Sequence, residues 1–220
     1  MQLNRSSTKI PLMDPADYVL DGTITASTDV SYDAFLSELL LLGRGFSYRE
    51  LVRPVFRDLR GRYREPPREI WGRMAPTLAL ANELRTRLCE PEDGQDPIRG
   101  LRVAAAYRPR GGARRSQHKS NAALDLDLLP GDRVATRRFY EHAVRLWCDF
   151  GVAMKMGLGL YCPAGARGGI RVHLDTGFRC RTWQISRGRS IRPFVDEGSS
   201  VSLAVDLARG LGLTPPTRTA

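Results

Sequence analysis

Apolar residues recur at helical spacing through the first part of the chain. Over Ser31 to Leu42 the residues Phe35, Leu36, Leu39, Leu40 and Leu42 fall on one face, with Ser31 or Asp33 placed to cap it, which predicts a helix. A second is expected from Tyr48 to Leu59, where Leu51, Val55 and Leu59 are spaced four apart and Pro54 marks a kink or a start. A third begins after Pro66 and Pro67, aligns Ile70, Met74, Leu78 and Leu88, and is interrupted by Pro76. A polar, turn-rich stretch from Glu90 to Pro97 follows and reads as a loop or boundary.

Beyond it the pattern changes from helical to alternating. Leu101 to Tyr107 reads as a buried strand, and in Asn121 to Leu129 the residues Leu124, Leu126 and Leu128 alternate with Asp125 and Asp127. Asp132 to Phe150 is an amphipathic helix with Phe139, Leu146, Trp147 and Phe150 on its apolar side. Two short strands come next, Gly157 to Tyr161 and Gly169 to Asp175. In the second, Ile170, Val172 and Leu174 point one way and Arg171, His173 and Asp175 the other. The expected fold is α+β: a small antiparallel sheet flanked by helices, with a mainly helical N-terminal region at 1–95, a sheet domain at 96–213 and a frayed tail at 214–220.

Composition narrows the class. A chain of 220 residues usually forms one domain, and 42% hydrophobic with 26% charged residues is ordinary for a protein with a real core. Wholesale disorder is excluded, as is a membrane span, since no apolar run approaches the about 20 residues one needs. The formal charge of +10 favours anionic partners; only three of the 34 basic residues are lysines (Lys9, Lys119, Lys155), a bias that a GC-rich genome also produces. Residues 1–10 carry no apolar stretch of the kind a secretory signal peptide needs, so synthesis in the cytoplasm is expected. Cys89, Cys148, Cys162 and Cys180 form no C-x-x-C pair, which suits free thiols better than a disulfide framework, with Cys162 to Cys180 as a conceivable bridge.

With three histidines in the chain, a histidine-based site has few ways to form. His142 lies on the Asp132–Phe150 helix without an acidic or cysteine partner beside it and reads as structural. His118 is followed seven residues later by Asp125 on a strand, and His173 on the polar face of another strand offers a third ligand. One carboxylate with two neutral imidazoles leaves a divalent ion with net positive charge, which suits a metal that activates water. His173-x-Asp175 also opens the facial triad of non-haem iron enzymes, but no histidine follows it. Neither Ser116 nor any cysteine carries the motif of an activated nucleophile.

Several segments occur together: Tyr107-Arg108-Pro109, Gly111 to His118 through Asp125, Gly157-Leu-Gly159-Leu-Tyr161, and Val172-His173-Leu-Asp175-Thr-Gly177 to Trp183. Over roughly residues 100–184 they resemble, in order, the zinc D-alanyl-D-alanine carboxypeptidase family, which includes murein endopeptidases and shares its fold with hedgehog signalling domains. The resemblance implies Zn2+ on His118, Asp125 and His173. It also implies a substrate-holding role for Arg108, an orienting role for Ser116 in the ligand loop, and core packing for Trp183. Three features depart from the family pattern. Asn121 stands where glycine is usual, though asparagine tolerates left-handed backbone. The loop from Arg108 to His118 is shorter than in many relatives. Ile170 stands where some members carry the general base. Asp175, on the same strand face as His173, is then the candidate base, with an orienting role for a ligand imidazole or a turn cap as its alternatives; Asp127 is a lesser candidate.

The leading expectation is therefore a zinc peptidase acting on peptidoglycan stem peptides or cross-links, reaching the cell wall or periplasm by lysis, in a phage particle or through a secretion apparatus. One alternative is an inactive relative of that fold used in binding or assembly. The other is a basic nucleic-acid-binding module built on stretches such as Arg57 to Arg64 and Arg108 to Arg115, which no recognised nucleic-acid motif accompanies.

Overall fold

The alternation of Leu124, Leu126 and Leu128 with Asp125 and Asp127 dictates a strand with one face in a core and one face against polar neighbours. The computed structural model describes Ser31, Tyr32, Ala34, Phe35, Phe46, Glu50 and Leu51, then residues 65–89, 96–98, 101–110, 113–128, 133–164, 169–186, 189–190 and 203–217. The strands are β1 (Leu101–Ala105), β2 (Ala123–Leu128), β3 (Gly157–Ala164), β4 (Gly169–Asp175), β5 (Arg181–Ser186) and β6 (Arg189–Ser190). They form one sheet in the order β1-β2-β4-β3-β5-β6.

The sheet is mixed, which corrects the expected antiparallel one. Every neighbouring pair is antiparallel except β3 and β5, which run parallel from Gly157↔Arg181. Both Asp175, the end of β4, and Arg181, the start of β5, are opposite Gly157. Residues 176–180 therefore carry the chain past the start of β3 and lay β5 on its far side, where a tight hairpin would have paired β5 with β4. Neither β5 nor β6 was apparent in the hydrophobic pattern.

Three helices, α1 (Met74–Cys89), α2 (Arg133–Phe150) and α3 (Leu203–Gly210), cover the leucine-bearing face. Leu78, Leu84 and Leu88 of α1 join Phe139, Val144 and Leu146 of α2 and Leu124, Leu126, Leu158, Leu160, Val172 and Leu174 of the sheet in one hydrophobic cluster. Pro76 lies in the first turn of α1, after a 3₁₀ turn at Arg68–Arg73. It does not interrupt the helix, because first-turn N–H groups have no intrahelical acceptor to lose. No described helix is long and apolar enough to cross a membrane.

Described residues of the N-terminal region share the sheet's core. Tyr32 and Phe35 pack on Trp71, with ring centroids 4.9 and 5.7 Å away, and all three belong to the same cluster as the sheet. Ser31 caps as expected, its Oγ accepting the Ala34 N–H at 3.1 Å. Tyr32, Ala34, Phe35, Glu50 and Leu51 are helical, while 36–42 and 52–59 of the two expected helices lie outside the described residues. The division at 95/96 thus cuts through one core. The described part of the tail differs too: Pro216 lies against Gly151.

A chain starting at Asp96 would lose Trp71, Met74, Leu78, Leu80, Leu84 and Leu88, each a fully or almost fully buried side chain. Since one buried Leu→Ala change costs about 2–5 kcal/mol, near the scale of a whole domain's stability, the truncated chain should show no cooperative thermal transition by circular dichroism. A melt matching that of the full chain would instead establish 1–95 as separable.

Candidate metal centre

Asp125 and His173 are direct cross-strand partners on β2 and β4, so the strand register alone brings them together. His118 arrives from a 3₁₀ turn, Gln117–Ser120, that ends in Asn121 with φ 55° and ψ 35°. This is the left-handed geometry that glycine would adopt, and the asparagine does more than tolerate it. Its side-chain amide donates to the carbonyls of Ile70 at 3.2 Å and Trp71 at 3.4 Å, tying the turn to the chain before α1. From α1 itself, Thr77 Oγ1 donates to the Ala122 carbonyl at 3.1 Å and lies 2.7 Å from the Thr176 hydroxyl. One helix therefore fixes the chain just after both the His118 turn and the His173 strand.

His118 Nε2, Asp125 Oδ1 and His173 Nδ1 form a triangle with sides of 3.2, 2.8 and 3.2 Å. Ligand atoms about 2.0–2.1 Å from a tetrahedral ion would be roughly 3.3 Å apart, so the spacing fits a small divalent metal with slight opening. All three side chains are buried, and no other such group occurs among the described residues.

The remaining ring nitrogens fix the tautomers. His118 Nδ1 is 2.7 Å from the Ala106 carbonyl, which can only accept, so Nδ1 carries the hydrogen and the neutral ring presents a lone pair at Nε2. His173 Nε2 is 3.1 Å from Asp175 Oδ2, leaving Nδ1 to face the triangle. Arg181 donates to the same carboxylate oxygen at 2.8 Å.

These contacts set the charge states. Burial would lower the His173 pKa, but its bonds to Asp125 and Asp175 outweigh that and raise it to about 9. Burial would raise Asp125, yet its bonds to both histidines hold it well below the usual carboxylate range. Asp175 is likewise lowered, with burial overcome by His173 and Arg181. In the metal-free protein the triangle thus holds a proton where a metal would hold its charge.

Asp175, the candidate base, lies at the His173 nitrogen facing away from the triangle and has 0% exposure. Its Oδ2 is engaged by His173 and Arg181 while its Oδ1 has no hydrogen-bond partner, an arrangement that accords with the orienting alternative. Asp127 is occupied: Arg171 donates to its two oxygens at 2.7 and 3.0 Å, and Arg102 lies at 3.5 Å. Ser116 precedes the ligand turn, but its hydroxyl makes no capping bond; its carbonyl accepts the Lys119 N–H at 3.0 Å. The contact that Ser116 makes with the ligand turn is thus through its backbone. Arg108 donates its N–H to the His118 carbonyl at 3.0 Å, and its guanidinium bears on the Tyr161 phenol. His142 is half-buried on α2 and outside the cluster. Cys180 is a free thiol, so no bridge to Cys162 forms.

The part that five residues play in the site escaped the sequence reading: Arg181, Gly157, Gly159, Trp183 and Tyr161. Arg181 is the partner of Asp175. Gly157 and Gly159 are opposite Asp175 and His173, and a Cβ at either would come within 2.5–2.7 Å of the Asp175 carboxylate or the Trp183 ring. Trp183 crosses Gly159 to pack on His173, centroids 4.9 Å apart, so it is a wall of the site rather than core. Tyr161, two residues beyond Gly159, is the last. The G-x-G spacing was visible, but its meaning required the register with β4.

No family model, curated protein or solved structure matches this chain.

Replacing Asp175 by asparagine removes the charge that holds His173, and such partners typically contribute 10–100-fold to metal affinity. Titration of Asp175→Asn with Zn2+ against a competing chelator should show a loss of about that size. Unchanged affinity with abolished turnover would restore Asp175 as the base.

A pH dependence follows from the same shifts. The raised His173 pKa stabilises the metal-free fold in full below its ordinary value of 6.5, and this contribution is lost as pH rises through about 9. Asp125 and Asp175 act oppositely, stabilising above the ordinary carboxylate value of 3.8 and losing that effect as pH falls below it. Melting scans in chelator should therefore peak between those two values and decline toward alkaline pH. With Zn2+ the alkaline decline should vanish, because metal replaces the departing proton.

Proposed function

We propose that this chain is a zinc-dependent peptidase hydrolysing peptidoglycan stem peptides or their cross-links. The observation that carries the reading is the triangle of His118 Nε2, Asp125 Oδ1 and His173 Nδ1, with each histidine's second nitrogen already committed as a donor. Zinc in particular, and peptidoglycan as substrate, come from the resemblance of residues 100–184 to the carboxypeptidase family.

Bound zinc would supply a Lewis acid for the scissile carbonyl and a water acidified toward neutrality. The chain's residues divide the remaining work. His118 and His173 contribute neutral donors and Asp125 a single negative charge. Asp175, neutralised by Arg181, holds the His173 ring in one tautomer. Arg108, on the loop after β1 beside the ligand turn, is assigned the substrate's carbonyl or carboxylate, a planar acceptor that a guanidinium matches. The charge of +10 suits an anionic wall polymer.

One observation favours a second reading. Asp175 meets the His173 nitrogen that faces away from the triangle, and both oxygens of Asp127 are bonded to Arg171, so neither candidate base is directed at the triangle by the bonds it makes. A metal-binding protein without turnover, used in binding or assembly, accords with that.

Metal analysis coupled to digestion of purified peptidoglycan separates the two. For the peptidase, the wild type should carry stoichiometric zinc and release stem-peptide fragments, and His118→Ala should lose both. Stoichiometric zinc with no cleavage would favour the assembly reading, and absence of metal after incubation with Zn2+ would remove both.

A further inference from the structure

We propose that Tyr161 is a catalytic residue of this site, its hydroxyl donating a hydrogen bond to the carbonyl oxygen of the peptide under attack; the inference rests on the peptidase reading above. Asp125, His173, Gly159 and Trp183 are successive cross-strand partners over β2, β4, β3 and β5 and make one row across the polar face. Asp127, Arg171 and Tyr161 make the next row on the same face. Tyr161 therefore lies one two-residue step from the metal row, and Trp183 links the two rows. The Trp183 ring, Nε1 included, covers Gly159 at 2.6–2.7 Å from where a Cβ would be, and it packs on His173. That indole N–H bonds to the Tyr161 phenol. The phenol oxygen is thus held beside an atom lying over the strand position that pairs with a metal ligand.

The direction of that bond leaves the phenol as a donor. An indole nitrogen can only donate, so the Tyr161 oxygen accepts and its own hydrogen points elsewhere. No other described side chain is recorded as accepting that hydrogen, and Asp127, in the same row, is engaged by Arg171. Tyr161 is half-buried, and its carbonyl accepts a 2.5 Å bond from Tyr140 of α2, which pins β3 where its pairing with β4 breaks register. A donor held in advance by Trp183 and α2 stabilises charge that develops in the reaction, because it need not reorganise at that moment.

The step balances without further reagents. Water adds through its oxygen to the carbonyl carbon, and the C=O π pair moves onto the carbonyl oxygen, where the hydrogen bond donated by the Tyr161 hydroxyl strengthens. As the pair returns, the C–N bond breaks and the amine leaves with the proton that the water gave up. Tyr161 keeps its own proton throughout.

The test compares wild type and Tyr161→Phe, which removes the hydroxyl and keeps the ring. Zinc content, melting temperature, kcat and KM on purified peptidoglycan are measured, together with the affinity of the zinc-loaded protein for acetohydroxamate, whose oxygens mimic the developing oxyanion. Tyr161→Phe should retain stoichiometric zinc and its melting temperature while kcat falls about 10²–10³-fold with KM little changed, as for the loss of one oxyanion donor. Acetohydroxamate should bind about tenfold more weakly, the scale of one hydrogen bond. Unchanged kcat in Tyr161→Phe would overturn the role of Tyr161 and leave the peptidase reading standing. A wild type that holds zinc but cleaves nothing would sink the peptidase reading and, with it, the carbonyl-oxygen assignment, whatever acetohydroxamate shows. A wild type without zinc would overturn both.

Discussion

Three electron-rich atoms converge within 3.2 Å at the centre of this protein, and buried lone pairs do not remain so close without positive charge among them. The Ala106 carbonyl fixes one imidazole, and Asp175 with Arg181 fixes the other, so neither ring can relieve the repulsion by exchanging tautomers at no cost. Only a proton or a cation relieves it. The raised pKa of His173 expresses that demand in the metal-free protein. The constraint reaches outward, since Asn121 and Thr77 hold the His118 turn and the end of β4 to the chain around α1. A site of this precision thus depends on residues that a cut at 95/96 would discard.

The polar face of the sheet is shaped by what β3 omits. Gly157 leaves room for the Asp175 carboxylate, and Gly159 leaves room for the Trp183 ring. Glycine in a strand forfeits packing and backbone entropy, so two of them opposite His173-x-Asp175 mark a close approach rather than a weak strand. The parallel placement of β5 has the same logic. By passing the start of β3, the chain sets Trp183 beside Gly159 and Arg181 beside Gly157, where each reaches across to β4. Pairing β5 directly to β4 would have displaced β3 and its two gaps.

Much of this was legible in the sequence because a two-residue period is a local signal. The faces of β2 and β4 follow from alternation alone, and left-handed geometry at Asn121 was expected because the resembled family has glycine at that position. What depends on long-range placement was not legible. The crossing of residues 176–180 left the sheet mixed, Pro76 proved to start a helix, and Tyr32 joined the core of a sheet far along the chain. The Asp175 role turned on which imidazole nitrogen it meets. Residues two apart on a strand share a face, but that does not say whether the second stands before or behind the first.

That placement of Asp175 has an electrostatic consequence. Its charge is cancelled at 2.8 Å by Arg181 rather than left to act on the triangle. A divalent ion held by His118, Asp125 and His173 would then meet one ligand charge and keep most of its own, unlike an ion in a cage of thiolates or several carboxylates. Structural sites neutralise and enclose their metal, whereas sites that polarise a substrate keep charge and an open position. Arg181 thus permits a carboxylate to orient His173 without weakening the field at the third side of the ring. The arrangement separates the geometric use of a carboxylate from its charge, which accords with the proposed peptidase.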